Sequence, residues 1–120
     1  MFTPIAGLPE TVVGVEAHGK IRAEDYRDTL VPAVEDLIAR AGKARVLVVL
    51  GPEWDGYSAG AMFDDAKLGI EHLKAWQRFA LVSDADWIHH VASLFGWLVP
   101  GEVRSFPYAQ LDEAKAWITG

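Results

Sequence analysis

The chain has 120 residues, 51% of them hydrophobic, with 11 lysines and arginines against 17 aspartates and glutamates, and no cysteine. That length suits one domain over residues 1–120 that buries about two-thirds of its unfolded surface, and so apolar a composition argues against disorder. The net charge of −6 argues against nucleic acid and anionic membrane surfaces as partners, and the lack of cysteine removes disulfides, thiolate catalysis and Cys-based metal sites.

The first residues lack a basic stretch followed by a long apolar run, so no secretory signal is expected. Residues 5–8 and 12–17 read as two short extended segments around Pro9-Glu10, and Gly19-Lys20 ends the second. Over residues 23–41, Tyr26, Leu30, Val34, Leu37, Ile38 and Ala41 recur at helical spacing. Pro32 predicts a kink there, or a regular helix that begins at that point. Gly42 is a stop signal.

Residues 45–50, Arg-Val-Leu-Val-Val-Leu, predict a strand buried on both faces, as in a parallel sheet covered by helices. Residues 51–57 read as a loop. Ser58 then opens a helix with Ala59, Met62, Phe63, Ala66, Ile70 and Leu73 on one face. A second buried strand is expected at 78–82. A helix follows Ser83-Asp84, its apolar face formed by Trp87, Ile88, Val91, Leu94, Phe95 and Leu98. Pro100-Gly101 ends it. Residues 102–106 predict a last strand nearer an edge, and residues 111–118 a closing helix that packs Leu111, Ala114, Trp117 and Ile118. The apolar stretch 91–99 is interrupted by Ser93 and Gly96 and falls far short of the roughly 20 residues of a membrane span. The expectation is a soluble cytoplasmic α/β domain with a mixed five-stranded sheet, parallel central strands and about four helices.

In this order, the segments Glu24-Asp25-Tyr26 with Pro32, Val46-Leu47-Val48-Val49-Leu50-Gly51-Pro52, Gly56-Tyr57-Ser58-Ala59-Gly60-Ala61-Met62 and Asp64-Asp65-Ala66-Lys67 form a set. It continues with Ala75-Trp76, Asp86-Trp87-Ile88, Phe95-Gly96, Pro100-Gly101-Glu102-Val103-Arg104, Phe106 and Glu113-Ala114-Lys115-Ala116-Trp117-Ile118. Over essentially its whole length the chain resembles the SpoIIAA-like proteins, also grouped with STAS and Sec14-type domains. The resemblance implies a STAS-like fold and no enzymatic activity. Among distant relatives, anti-sigma-factor antagonists are switched by phosphorylation of a serine at a helix start, and Sec14-type domains hold lipids in an apolar pocket. In the antagonists an aspartate directly precedes that serine, whereas here Tyr57 precedes Ser58.

In open α/β sheets ligands sit beyond the carboxyl ends of the strands. Trp54, Asp55, Tyr57 and Ser58 follow one central strand, and Asp84 and Trp87 follow its neighbour. They form a candidate ligand or regulatory rim. Ser58 and Asp84 equally suit helix N-caps, and the aromatic residues suit closure of a core. Phe95, Trp97 and Leu98 form a candidate interface or pocket cover, since Trp97 falls roughly opposite Phe95 on a helix. His18, His72, His89 and His90 lack the spacing of metal ligands, and His89-His90 read as solvated helix residues. Asp64-Asp65 and Asp84-x-Asp86 do not converge as an acid/base pair. No catalytic residue, cofactor or metal is expected.

Two functions follow, the first of them favoured on the sequence and the second its alternative. One is a non-catalytic module acting through protein contacts, as a homodimer or with a regulatory partner. The other is a small carrier or sensor of an apolar, lipid-like ligand. A packed interior between the sheet and the second and third helices favours the former; a sizeable apolar void there favours the latter.

Overall fold

A computed structural model describes the backbone of residues 1–120 and all side chains except those of residues 63–66, 69, 70, 73 and 98. The chain opens with β1 (Phe2–Pro4), turns, and returns antiparallel as β2 (Val12–Ala17). The extended segment expected at 5–8 is instead the connection. Ile5 and Leu8 cover the sheet here, with Leu8 occupying the space that a side chain on Gly14 would need. Next comes β3 (Gly19–Ile21), a strand the sequence did not announce.

The helical stretch expected over 23–41 is continuous but not uniform. A single turn, α1 (Ala23–Asp25), leads into π-helical residues Tyr26–Leu30 and then α2 (Val31–Ala41). Pro32 lacks an N–H to donate to the preceding turn, and the wider π-helical turn upstream absorbs it. Gly42 ends α2 with φ 78°, its N–H donating to the Ile38 carbonyl at 2.7 Å, a left-handed cap that favours glycine.

β4 (Ala44–Leu50) is followed by β5 (Trp54–Tyr57), which lies within the segment read as a loop. It pairs in parallel with β3, Gly19 opposite Trp54 and Ile21 opposite Tyr57. Then come α3 (Ala59–Glu71), β6 (Trp76–Ser83), α4 (Asp86–Leu98), β7 (Glu102–Phe106) and α5 (Leu111–Thr119).

The main sheet has the order β1-β2-β4-β6-β7. β4 runs parallel to β2 on one side and to β6 on the other, with Val46 opposite Phe79 and Val49 opposite Val82. β7 joins β6 in parallel. This is the expected mixed sheet with parallel central strands. Its outer strands are short: three residues ending in Pro4, and five that carry exposed Glu102 and Arg104.

Successive strand residues face opposite sides of a sheet, and this splits the core in two. Leu47, Val49, Ala80, Val82 and Phe106 pack with Ala114 and Ile118 of α5. Val46, Val48 and Leu50 pack with Tyr26, Leu30, Val34 and Leu37 of the first helical stretch, together with Ile88.

α5 is clamped as well as packed. Arg45 donates to the Ile118 carbonyl at 3.1 Å and Arg78 to the Trp117 carbonyl at 2.6 Å, supplying donors to carbonyls that a helix end leaves unpaired. The guanidinium groups of Arg78 and Arg104 lie over the Trp117 ring at 5.1 and 5.5 Å.

On the other face α3 stands away from the strands. α3 packs chiefly on α1 and the π-helical turn, where a Cβ on Gly60 would lie 3.2 Å from that of Ala23. Its buried residues include Ala61 and Leu68, whereas Met62, expected inside, is 53% exposed. Phe63, Ala66, Ile70 and Leu73, placed on the same face from sequence, lie outside the described side chains. α4 leans on β7 and β6 and buries Ile88 and Ala92, leaving Trp87, Val91 and Leu94 exposed. Among the described residues the continuous buried stripe expected on this helix is therefore only half covered.

Candidate functional site

Between the middle of the sheet, α3 and α4 lies a cavity of about 350 Å³. Its floor is Val46 and Val48 of β4 with Phe79 and Leu81 of β6, the residues that alternate with those sealed under α5. Tyr26 and Leu30 form one wall, Met62 and Leu68 of α3 another, and Trp87, Ile88, Val91, Leu94 and Phe95 of α4 the third. Aromatic groups close both ends. At the amino end of β6, Trp76, Phe79 and Phe95 meet edge to face at 5.6–6.2 Å between centroids. At the carboxyl end of the strands, Trp54, Tyr57 and Trp87 meet at 5.6–6.3 Å, and Tyr26 lies 6.3 Å from Tyr57. Such edge-on contacts add to what area burial alone contributes.

Of the rim proposed from sequence, Trp54, Tyr57 and Trp87 are thus brought together, and Tyr57 and Trp87 line the cavity. The small β3–β5 pairing places them, delivering Trp54 and Tyr57 beside the start of α4. Ser58 caps α3: its Oγ accepts from the Ala61 N–H at 3.1 Å. Asp84 is not the cap of α4, whose N-cap is Ala85. Its carboxylate accepts from the Tyr108 N–H at 3.0 Å and ties the β6–α4 turn to the segment before α5. The turn-stabilising role falls instead to buried Ser83, whose Oγ accepts from the Ala85 N–H at 3.1 Å. Asp55 is exposed.

Phe95 lines the cavity, while Trp97 is 91% exposed and outside its lining. The side chain of Leu98 lies outside the described residues. Tyr26, Leu30, Trp76 and Phe79 were not foreseen at the site. The available signal for the last was alternation along β6, which puts Phe79 and Leu81 on the face opposite Ala80 and Val82.

His89 is not simply solvated. Its Nε2 lies 2.7 Å from the Ser83 carbonyl, and a carbonyl only accepts, so that nitrogen carries the proton. Among the described residues no three His, Asp or Glu side chains gather as a metal site. Among them also, no helix is long and apolar enough to cross a membrane.

A mostly parallel open sheet with helices on both faces defines an α/β domain. The SpoIIAA-like family model matches residues 12–119, and the chain belongs to that family. It is similar to an uncharacterized protein of the DUF3478 family from Shewanella loihica PV-4, whose crystal structure has a SpoIIAA-like fold. The two share 25% identity with a TM-score of 0.73, over 98% of this chain and 92% of that one. No curated protein matches the chain.

Proposed function

We propose that the protein is a non-catalytic carrier or sensor that holds a small apolar molecule in the cavity between the sheet, α3 and α4. The observation that carries this reading is the 350 Å³ space itself, lined among the described residues by apolar and aromatic side chains. Interiors normally pack densely, with few voids larger than a water molecule. A hole of this size, open to solvent past Met62, Val91 and Leu94, falls in the range of small-ligand pockets. Titration with the neutral dye Nile red tests it. Wild type binds and brightens the dye, and Leu81→Trp, which fills the floor, binds at least about tenfold more weakly while staying folded, given that filling a cavity commonly leaves stability intact or raises it. Equal binding by a folded Leu81→Trp variant discards the cavity as the site. Native mass spectrometry of protein purified without detergent then reveals any ligand carried through purification.

A second reading, a homodimer formed through the outer side of α4, is favoured by one observation: Leu94 is 70% and Trp97 91% exposed. Contiguous exposed apolar side chains commonly mark contact surfaces. Light scattering of the wild type and Trp97→Glu decides, and identical monomeric masses discard it.

A further inference from the structure

The β3–β5 pairing lies outside the main sheet and joins strands of three and four residues. A two-stranded unit of that size is marginal unless something else holds it. Its far end is fixed: Ile21 is fully buried, and its carbonyl accepts from the Ser58 N–H at 2.8 Å. At the near end, where Trp54 stands, His18 Nδ1 lies 2.6 Å from the Glu53 carboxylate. A carboxylate only accepts, so that nitrogen carries the proton. On its other side the ring meets β1 and β2, with Nε2 2.9 Å from Thr3 Oγ1 and 3.7 Å from the Glu16 carboxylate. The Gly19 N–H adds a backbone bond to the Glu53 carbonyl at 2.6 Å. His18 thus ties the residue before Trp54 to the edge of the main sheet.

Trp54 needs such a tie. Its ring completes the triangle with Tyr57 and Trp87 that closes the carboxyl end of the cavity. Yet its Nε1 is buried and has no hydrogen-bond partner among the described residues. An unpaired donor opposes this position, whereas an outward swing hydrates it. Gly56, at φ 108°, lies between Trp54 and the fixed end, in a backbone region that glycine enters freely. We infer that Trp54 is a gate on the carboxyl end of the cavity and that His18, through Glu53, is the latch that holds it shut. Neither His18 nor Glu53 lines the cavity, so both are positioning residues. The inference rests on the cavity being the binding site, and it adds a route of exchange away from the mouth at Met62, Val91 and Leu94.

Stopped-flow binding and release of Nile red test the latch. Glu53 is 72% exposed, and a surface pair contributes little to stability, so His18→Ala and Glu53→Ala both fold. Each is expected to raise the association and release rate constants together by about two- to fivefold, with Kd within about twofold, since a freer gate speeds both directions. The double variant is no faster than the single ones, because both act through one contact. Trp54→Ala, which removes the gate, speeds exchange further, and in that background His18→Ala changes neither rate. Wild-type rates in both single variants overturn the latch and leave the cavity standing. A weaker Kd with an unchanged association rate does the same. So does an acceleration by His18→Ala that persists in the Trp54→Ala background, which marks a loosening of the fold at large. The single and double variants decide even where Trp54→Ala does not fold. If Nile red does not bind the wild type, the cavity is not a ligand site and the latch falls with it.

Discussion

On one face of the sheet Leu47, Val49, Ala80 and Val82 are sealed by α5, a helix of nine residues. On the other, Val46, Val48, Phe79 and Leu81 of the same two strands look into a cavity, although three longer helices lie on that side. The contrast lies in anchoring. α5 sits on the strands, its last carbonyls held by Arg45 and Arg78. α3 is anchored on α1 and the π-helical turn, and α4 on β7 and β6, so neither closes the space between them. Covering a sheet takes helices fixed above its middle, and helix count alone does not decide it.

The contrast can be broken most directly by truncation on either face. Ile118→Ala, at a fully buried position under α5, is expected to cost about 2–5 kcal/mol of unfolding free energy. Leu81→Ala is expected to cost less than half as much, because Leu81 already borders a void and gives up fewer contacts. Urea denaturation of both variants measures the difference, and equal losses would remove the distinction between a sealed and an open face.

The clamp on α5 comes next. Arg78→Met keeps the apolar stem but loses the hydrogen bond to the Trp117 carbonyl and the stacking on its ring, for an expected cost of about 1–3 kcal/mol. A denaturation midpoint unchanged from wild type would mean that packing alone holds α5. The smallest effect belongs to the open face. Ser58→Ala removes the cap of α3 and should cost about 1 kcal/mol, whereas Ser58→Gly should cost only a few tenths. If the two variants are equally destabilised, the Ser58 hydroxyl does more than cap.

The sheet was readable because its signals are local and redundant. The uninterrupted apolar run at residues 46–50 permits little but a strand buried on both faces, and the Pro100-Gly101 break set the start of β7. The cavity was not readable, because periodicity reports which residues share a helix face and says nothing of what that face meets. Trp87, Val91 and Leu94 have the spacing of core residues, and the same spacing serves a stripe around a void. The β3–β5 pairing was invisible for a different reason. It is held by backbone groups of Gly19–Ile21 and Trp54–Tyr57, whose side chains carry no alternating pattern. Asp84 shows the limit of residue type: a residue favoured at N-caps sits one position early and is used across the chain, on Tyr108.

The outer strands also restrict how copies of the molecule can meet. Edge-to-edge pairing needs a long, flat rim of free backbone groups. β1 offers three residues ending in an imino acid that cannot donate, and β7 sets Glu102 and Arg104 in the way. Growth of the sheet from one copy into the next is thereby disfavoured, and fibril-like stacking with it. Self-association, where it occurs, is left to helical surfaces.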